Sequence, residues 1–182
     1  MDMPIFLSPT AMQSLYHPDG DKASARAAEK FGTIYSMSTM ASFSIEEIAN
    51  LSSGPKIFQL YIHKDQSITD DLIDRCKRAN FNGMCITVDT IVAGNRERDH
   101  RTGFTTPPKF TLDSLMSFAM RPQWVFNYFT NKKFELANLK DKVEKVTNIA
   151  QSVMGYINEQ YDPSMNWKDA EYCIKKWDGP IA

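Results

Sequence analysis

A repeating strand–helix rhythm runs through the first half of this 182-residue chain and constrains its fold more than any other feature. Pro4–Ser8 is a short apolar run that ends at Pro9. Asp19-Gly20 then opens a segment carrying Ala23, Ala25, Ala27, Ala28 and Phe31, and Gly32 closes it. Alanine at that density before a glycine stop predicts a buried helix. Thr33–Ser38 predicts a second strand, and Ser44-Ile45-Glu46-Glu47 the acidic first turn of a second helix. Ile57–Ile62 predicts a third strand, and a helix after Lys64-Asp65 places Leu72, Ile73, Cys76 and Ala79 on one face. Met84–Val88 predicts a fourth strand. Apolar strands that alternate with helices form a parallel sheet from βα units, which puts the chain in the α/β class.

The rhythm then stops. From Asp89 to about Pro163 no strand pattern is visible. That stretch holds a polar loop, an aromatic-rich pair of short helices and an amphipathic helix around Val143–Ile157. Trp167–Trp177 predicts a further helix, and Gly179–Ala182 reads as the start of a fifth strand. So long an excursion is typically a lid or a binding insertion. A complete (β/α)8 TIM barrel takes about 250 residues. The expected fold is therefore an incomplete barrel made of the first four βα units and a helical insertion. As one partial domain, it has βα units over 1–89, insertion or lid over 90–163, and over 164–182 a helix leading to strand five.

Composition removes several functions. The formal net charge is −1, so the clustered positive face of a nucleic-acid binder is not expected. Cys76, Cys85 and Cys173 form no CxxC pair, which argues against a disulfide scaffold or zinc module and for a reducing, cytoplasmic setting. No secretory leader pattern and no apolar run of about 18 residues is seen. The eight glycines make no GxGxxG or Walker pattern, which disfavours a dinucleotide fold. His17, His63 and His100 lack metal-ligand spacing; a surface or loop role is expected for each, and no metal site. The run Asn95–Arg101 reads as a solvated loop.

Polar side chains gather where strands give way to loops: Pro9-Thr10-Ala11, Ser38-Thr39, Gln59 with Tyr61, and Thr87 with Asp89. Residues two apart on a strand point the same way, so Gln59 and Tyr61 share a face, as do Thr87 and Asp89. Any one of them could simply finish a strand or cap a helix. Four consecutive strand ends with hydroxyl or amide groups favour a ligand site on the C-terminal rim, where parallel α/β folds place their chemistry.

Ser8-Pro9-Thr10-Ala11-Met12, Phe58-Gln59-Leu60-Tyr61, Thr87-Val88-Asp89-Thr90 and Gly94–Asp99 together resemble the FMN-dependent α-hydroxy acid oxidase and dehydrogenase family. The resemblance extends from residue 4 to the end of the chain and includes Asn166–Asp169. It implies a (β/α)8 barrel with FMN at its C-terminal rim, oxidising a small L-2-hydroxy acid, of which L-lactate is the expected one. By motif, Pro9, Thr10 and Ala11 would line the flavin, and Ser38, Gln59 and Thr87 would bond its pyrimidine side. Tyr61 would donate to substrate, Arg96 would hold its carboxylate, and Asp89 would orient the catalytic histidine. Met40 stands where glycolate-type members often carry tryptophan, which suits a lactate-type pocket. The base histidine, its following arginine, the lysine beside the flavin and the phosphate grip would all lie past Ala182. The chain alone is accordingly expected to be inactive, and the complete enzyme to be a homo-oligomer. Other readings are a non-catalytic half-barrel acting only in association, and another FMN-dependent barrel enzyme.

Phe110–Phe134 carries apolar residues at helical spacing, with aromatic anchors and flanking Lys109, Arg121, Lys132 and Lys133. Two readings stay open. It is a lid packed on the rim, or an interfacial helix pair giving peripheral contact with the inner face of the plasma membrane over 110–134. The family resemblance favours the second.

Overall fold

The computed structural model describes residues 1–89, 97–102, 111–131, 135–140 and 162–182. Four strands, β1 Phe6–Leu7, β2 Ile34–Ser38, β3 Lys56–Leu60 and β4 Gly83–Ile86, pair in chain order as one parallel sheet. The register sets Leu7 against Tyr35, Ser38 against Gln59, and Gln59 against Cys85. Helices α1 Gly20–Lys30, α2 Ile45–Leu51 and α3 Gln66–Arg78 make the crossovers. This is the expected α/β arrangement of a partial barrel.

The two-residue period of the strands sorts their side chains between two faces. Tyr35, Met37, Phe58, Leu60 and Met84 are buried in a core shared with Ala25, Ala28, Ile45, Ile48, Leu72 and Ile73. The alternate positions, Ser36, Ser38, Gln59 and Cys85, fall on the opposite face. Strands prove shorter than the apolar runs: β1 keeps two residues and β4 ends at Ile86. β3 begins one residue early, at Lys56, which pairs with Tyr35 and whose buried ammonium is satisfied by the Ser52 and Gly54 carbonyls at 2.7 and 2.6 Å.

Local chemistry sets the helix ends. Ser44 and Glu47 close a reciprocal capping box on α2, at 3.1 and 2.9 Å. Asp65 caps α3 through the Ser67 amide, 2.9 Å away. Gly32, at φ +61°, lets the chain turn out of α1 where an L side chain would be strained. Of the long excursion, α4 Glu97–Thr102, α5 Leu112–Ala119 and α6 Pro122–Thr130 are helical, and its described residues include no strand. The run read as a solvated loop is thus helical from Glu97, with Arg101 pairing Glu97 across one turn at 3.0 Å. Thr90–Arg96 and the expected helix at Val143–Ile157 lie outside the described residues.

Leu136 and Leu139 return the excursion to the core. Beside them Asn138 accepts from the Ile45 amide at the start of α2, at 2.9 Å, while Arg75 reaches the Asn138 carbonyl at 3.1 Å. The same guanidinium grips Glu46 through two bonds of 2.7 Å and holds that carboxyl down near about 2. Finally α7, Trp167–Trp177, packs on α3 through Tyr172–Asp70 at 2.9 Å and buried Cys173 and Trp177. The last residues form one parallel bridge beside β4: Ile86 N–H donates to the Ala182 carbonyl at 2.8 Å and Met84 N–H to that of Pro180 at 3.0 Å.

Candidate active site

Past the strand ends the ladder is continued by side chains. The Ser38 hydroxyl donates to Gln59 Oε1 at 3.2 Å, and Gln59 Nε2 donates to Thr87 Oγ1 at 2.6 Å. One amide therefore links hydroxyls from β2 and from the residue after β4. Its orientation is fixed, because the Thr39 amide, which can only donate, also points at Oε1 from 3.4 Å. Ser38 and Gln59 are buried, and Thr87 is half-buried. Tyr61 lies two residues beyond Gln59 and is half-buried, and Asp89 lies two beyond Thr87 and is exposed.

The first loop joins the same rim. Pro9, Thr10 and Ala11 follow directly after β1, the first two exposed and the third half-buried. Met12 adopts the left-handed conformation at φ 56°, and its amide donates to the Met40 carbonyl at 3.0 Å. That conformation is uncommon for a methionine and persists where surrounding bonds hold it. A second tie joins the Ser14 amide to Ser42 Oγ at 3.1 Å. Behind both loops sits fully buried Asp21, accepting from Tyr35 Oη and from the Ser42 amide, both at 2.9 Å. Burial raises the Asp21 carboxyl above its ordinary range even though these donors pull it down.

Pro9, Thr10, Ala11, Ser38, Gln59, Tyr61, Thr87 and Asp89 therefore share the C-terminal rim of the sheet; Arg96 lies outside the described residues. Thr39, Met12 and Asp21 brace these positions and were not among the expected site residues. Thr39 stood in the polar strand-end group, whereas a buried aspartate at the start of a helix looks in sequence like an ordinary cap. Among the described residues no group of His, Cys, Asp and Glu could hold a metal ion.

His63 fits the loop half of its expected role but not the surface half. It sits in a loop but is 2% exposed, not on the surface. Burial pushes its imidazole down to about 4, with hydrogen bonding to the Tyr61 backbone opposing the shift. The folded chain holds His63 neutral while the unfolded chain protonates it below the ordinary 6.5. Stability from this group is full above pH 6.5 and falls as pH drops toward about 4. The expected loss is about 3 kcal/mol. Urea midpoints of wild type and His63→Gln, read from pH 7.5 to 4.5, check this; the variant should lose less than wild type on acidification.

The α5–α6 hairpin stands over the first loop. Trp124 Nε1 donates to the Leu15 carbonyl at 3.0 Å, and its ring stacks between Phe118 and Tyr128 at 5.5 and 5.2 Å. Leu112, Met116, Met120, Phe126 and Phe129 remain exposed.

Comparison with known proteins places this arrangement. The model of the FMN-dependent dehydrogenase family matches residues 1–182. Glycolate oxidase 1 of Zea mays is 36% identical over 172 residues, covering 94% of this chain and 41% of its own length. L-lactate dehydrogenase of Yersinia pestis is 34% identical over 180 residues, covering 98% and 47%. Among solved structures, the monotopic membrane protein (S)-mandelate dehydrogenase superposes with TM-score 0.89 at 26% identity, over 98% of this chain and 47% of that one. A lactate oxidase of Pediococcus acidilactici gives TM-score 0.72 at 26% identity, over 98% and 40%. The chain spans less than half the length of each of these relatives.

Proposed function

The chain belongs to the FMN-dependent dehydrogenase family, and from that membership we propose that its strand ends form part of the flavin and substrate site of an enzyme oxidising L-2-hydroxy acids, L-lactate foremost. The observation that carries this reading is the continuous Ser38–Gln59–Thr87 hydrogen-bonded row. Its alternating hydroxyl and amide groups fit the alternating donors and acceptors along the pyrimidine edge of FMN, the cofactor of the family. When bound, FMN supplies the acceptor for the two reducing equivalents.

The residues of this chain bind and orient. Pro9, Thr10 and Ala11 would line the flavin, and Ser38, Gln59 and Thr87 would hold its pyrimidine side. Tyr61, on the same face as Gln59, donates to the substrate oxygen as charge gathers there. Asp89 holds a histidine base in its productive tautomer, and Arg96 takes the carboxylate through its two-pronged guanidinium. Met40, buried beside the rim, supports a preference for the short lactate side chain.

The test is kcat/KM of the enzyme containing this chain for L-lactate, glycolate and (S)-mandelate. L-Lactate should lead; a tenfold preference for either of the others contradicts the assignment. None of His17, His63 and His100 occupies the family's base motif. The 182-residue chain by itself should therefore oxidise L-lactate at least about 10²-fold more slowly than the enzyme, the usual cost of a missing base. Purified chain with added FMN and a dye acceptor gives that rate.

A second reading concerns location. Among the described residues no helix is long and apolar enough to cross a membrane. Yet Trp124 ties the hairpin to the Leu15 carbonyl while Phe126 and Phe129 stay 67% and 79% exposed. Those exposed rings, with Arg121 just before α6 and Lys132 and Lys133 following it in the sequence, support peripheral attachment to an anionic membrane. The (S)-mandelate dehydrogenase resembled above is itself a monotopic membrane protein. Changing Met116, Phe126 and Phe129 to serine, and leaving Trp124 to hold the hairpin, should reduce co-sedimentation with anionic liposomes at least tenfold. Equal sedimentation would leave the hairpin as a lid alone.

A further inference from the structure

We propose that Thr39 is a positioning residue, whose hydroxyl fixes the spacing between Gln59 and Tyr61 and so couples the flavin-facing and substrate-facing groups of the rim. The inference rests on the functional reading of those two residues given above. Its geometric ground is a substitution in the sheet ladder.

β2 and β3 pair up to Ser38 and Gln59. One step further, the Thr39 amide still donates to the Gln59 carbonyl at 3.1 Å, as a parallel ladder requires. In a continuing ladder the Tyr61 amide would next donate to the Thr39 carbonyl. Here it donates to Thr39 Oγ1 instead, at 3.2 Å. The same hydroxyl donates to the Gln59 carbonyl at 2.6 Å. A side chain thus extends the pairing after the β2 backbone has turned away toward Met40, whose amide is taken by Ser38 Oγ at 3.2 Å.

The hydroxyl's proton and a lone pair are both used, and Thr39 is fully buried. No water can replace it without opening the rim. Its backbone amide also points at Gln59 Oε1. Thr39 therefore touches the Gln59 carbonyl, the Gln59 amide oxygen and the Tyr61 amide at once. Moving it would tilt the amide that faces the flavin and displace the phenol that faces the substrate together.

Amide hydrogen exchange on the full chain tests this without flavin. In wild type the Tyr61 amide, beyond the end of β3, should exchange as slowly as that of Leu60; exchange at the rate of an open loop would overturn the proposal. Thr39→Val keeps the shape and removes the hydroxyl, and should speed exchange at Tyr61 at least tenfold with Leu72 and Ile73 unchanged. Thr39→Ser keeps the hydroxyl and should restore Tyr61 to within threefold of wild type. An unchanged Tyr61 in Thr39→Val, or an equal acceleration at Leu72 and Ile73, would overturn it. If Thr39→Val does not fold, the wild-type and Thr39→Ser rates decide alone. FMN titration of the enzyme is read separately: no binding there defeats the flavin reading, whereas the exchange rates judge Thr39.

Discussion

Replacing Gln59 with leucine should weaken FMN binding about 10²-fold in the enzyme containing this chain, roughly 2.7 kcal/mol. Leucine has similar reach but no polar atom. The Ser38 hydroxyl loses its acceptor and Thr87 Oγ1 loses its donor, at 3.2 and 2.6 Å in the wild type. Each net hydrogen bond is worth about 1 kcal/mol, but a buried polar group left unmade costs about 1–3 kcal/mol. In the proposed seat the flavin edge would face a methyl group in place of an amide, so the loss falls at the upper end of that range. Flavin fluorescence titration measures it. A dissociation constant within threefold of wild type would show that Gln59 does not touch the ring.

Phe58→Ala should cost about 3–5 kcal/mol of folding stability, the range for deleting a fully buried phenylalanine. The ring is 0% exposed and meets Phe81 edge-to-face at 6.2 Å. It faces the helices, opposite to its neighbour Gln59, so the cavity opens behind the rim. Chemical denaturation of wild type, Phe58→Ala and the exposed-site control Phe31→Ala checks this. The control should stay within about 0.5 kcal/mol, and a similar small loss at Phe58 would contradict the packing described.

Much of the architecture was legible because βα units declare themselves through apolar periodicity. Strands read at 33–38, 57–62 and 84–88 from their apolar runs form at 34–38, 56–60 and 83–86, and the helix of 66–78 follows from Leu72, Ile73 and Cys76 at helical spacing. The polar row at the strand ends was legible for a similar reason: Ser38, Gln59 and Thr87 interrupt apolar runs, where polarity costs burial unless it is used. The bracing residues were not. Asp21 and Tyr35 are 14 positions apart, and nothing local shows that Tyr35 Oη reaches that carboxylate at 2.9 Å. His63 precedes the polar stretch Lys64–Ser67 and read as surface or loop, and nothing in that local pattern shows that it is 2% exposed. Asn138 capping α2 from 93 residues away leaves no trace in the pattern either. Local periodicity reports which face is buried; it does not report which distant polar group completes a hydrogen bond.

The measurement that tests the flavin seat most directly is a crystal structure of the enzyme containing this chain with FMN bound. The account predicts the pyrimidine edge within about 3.2 Å of Ser38 Oγ, the Gln59 amide and Thr87 Oγ1, the hydrogen-bond range. It also predicts that Pro9–Ala11 lie alongside the ring and that the Tyr61 phenol points at the space beside it. A flavin seated at the opposite end of the strands, near Lys56 and Gly83, or one whose pyrimidine edge makes no bond to Gln59, would contradict it.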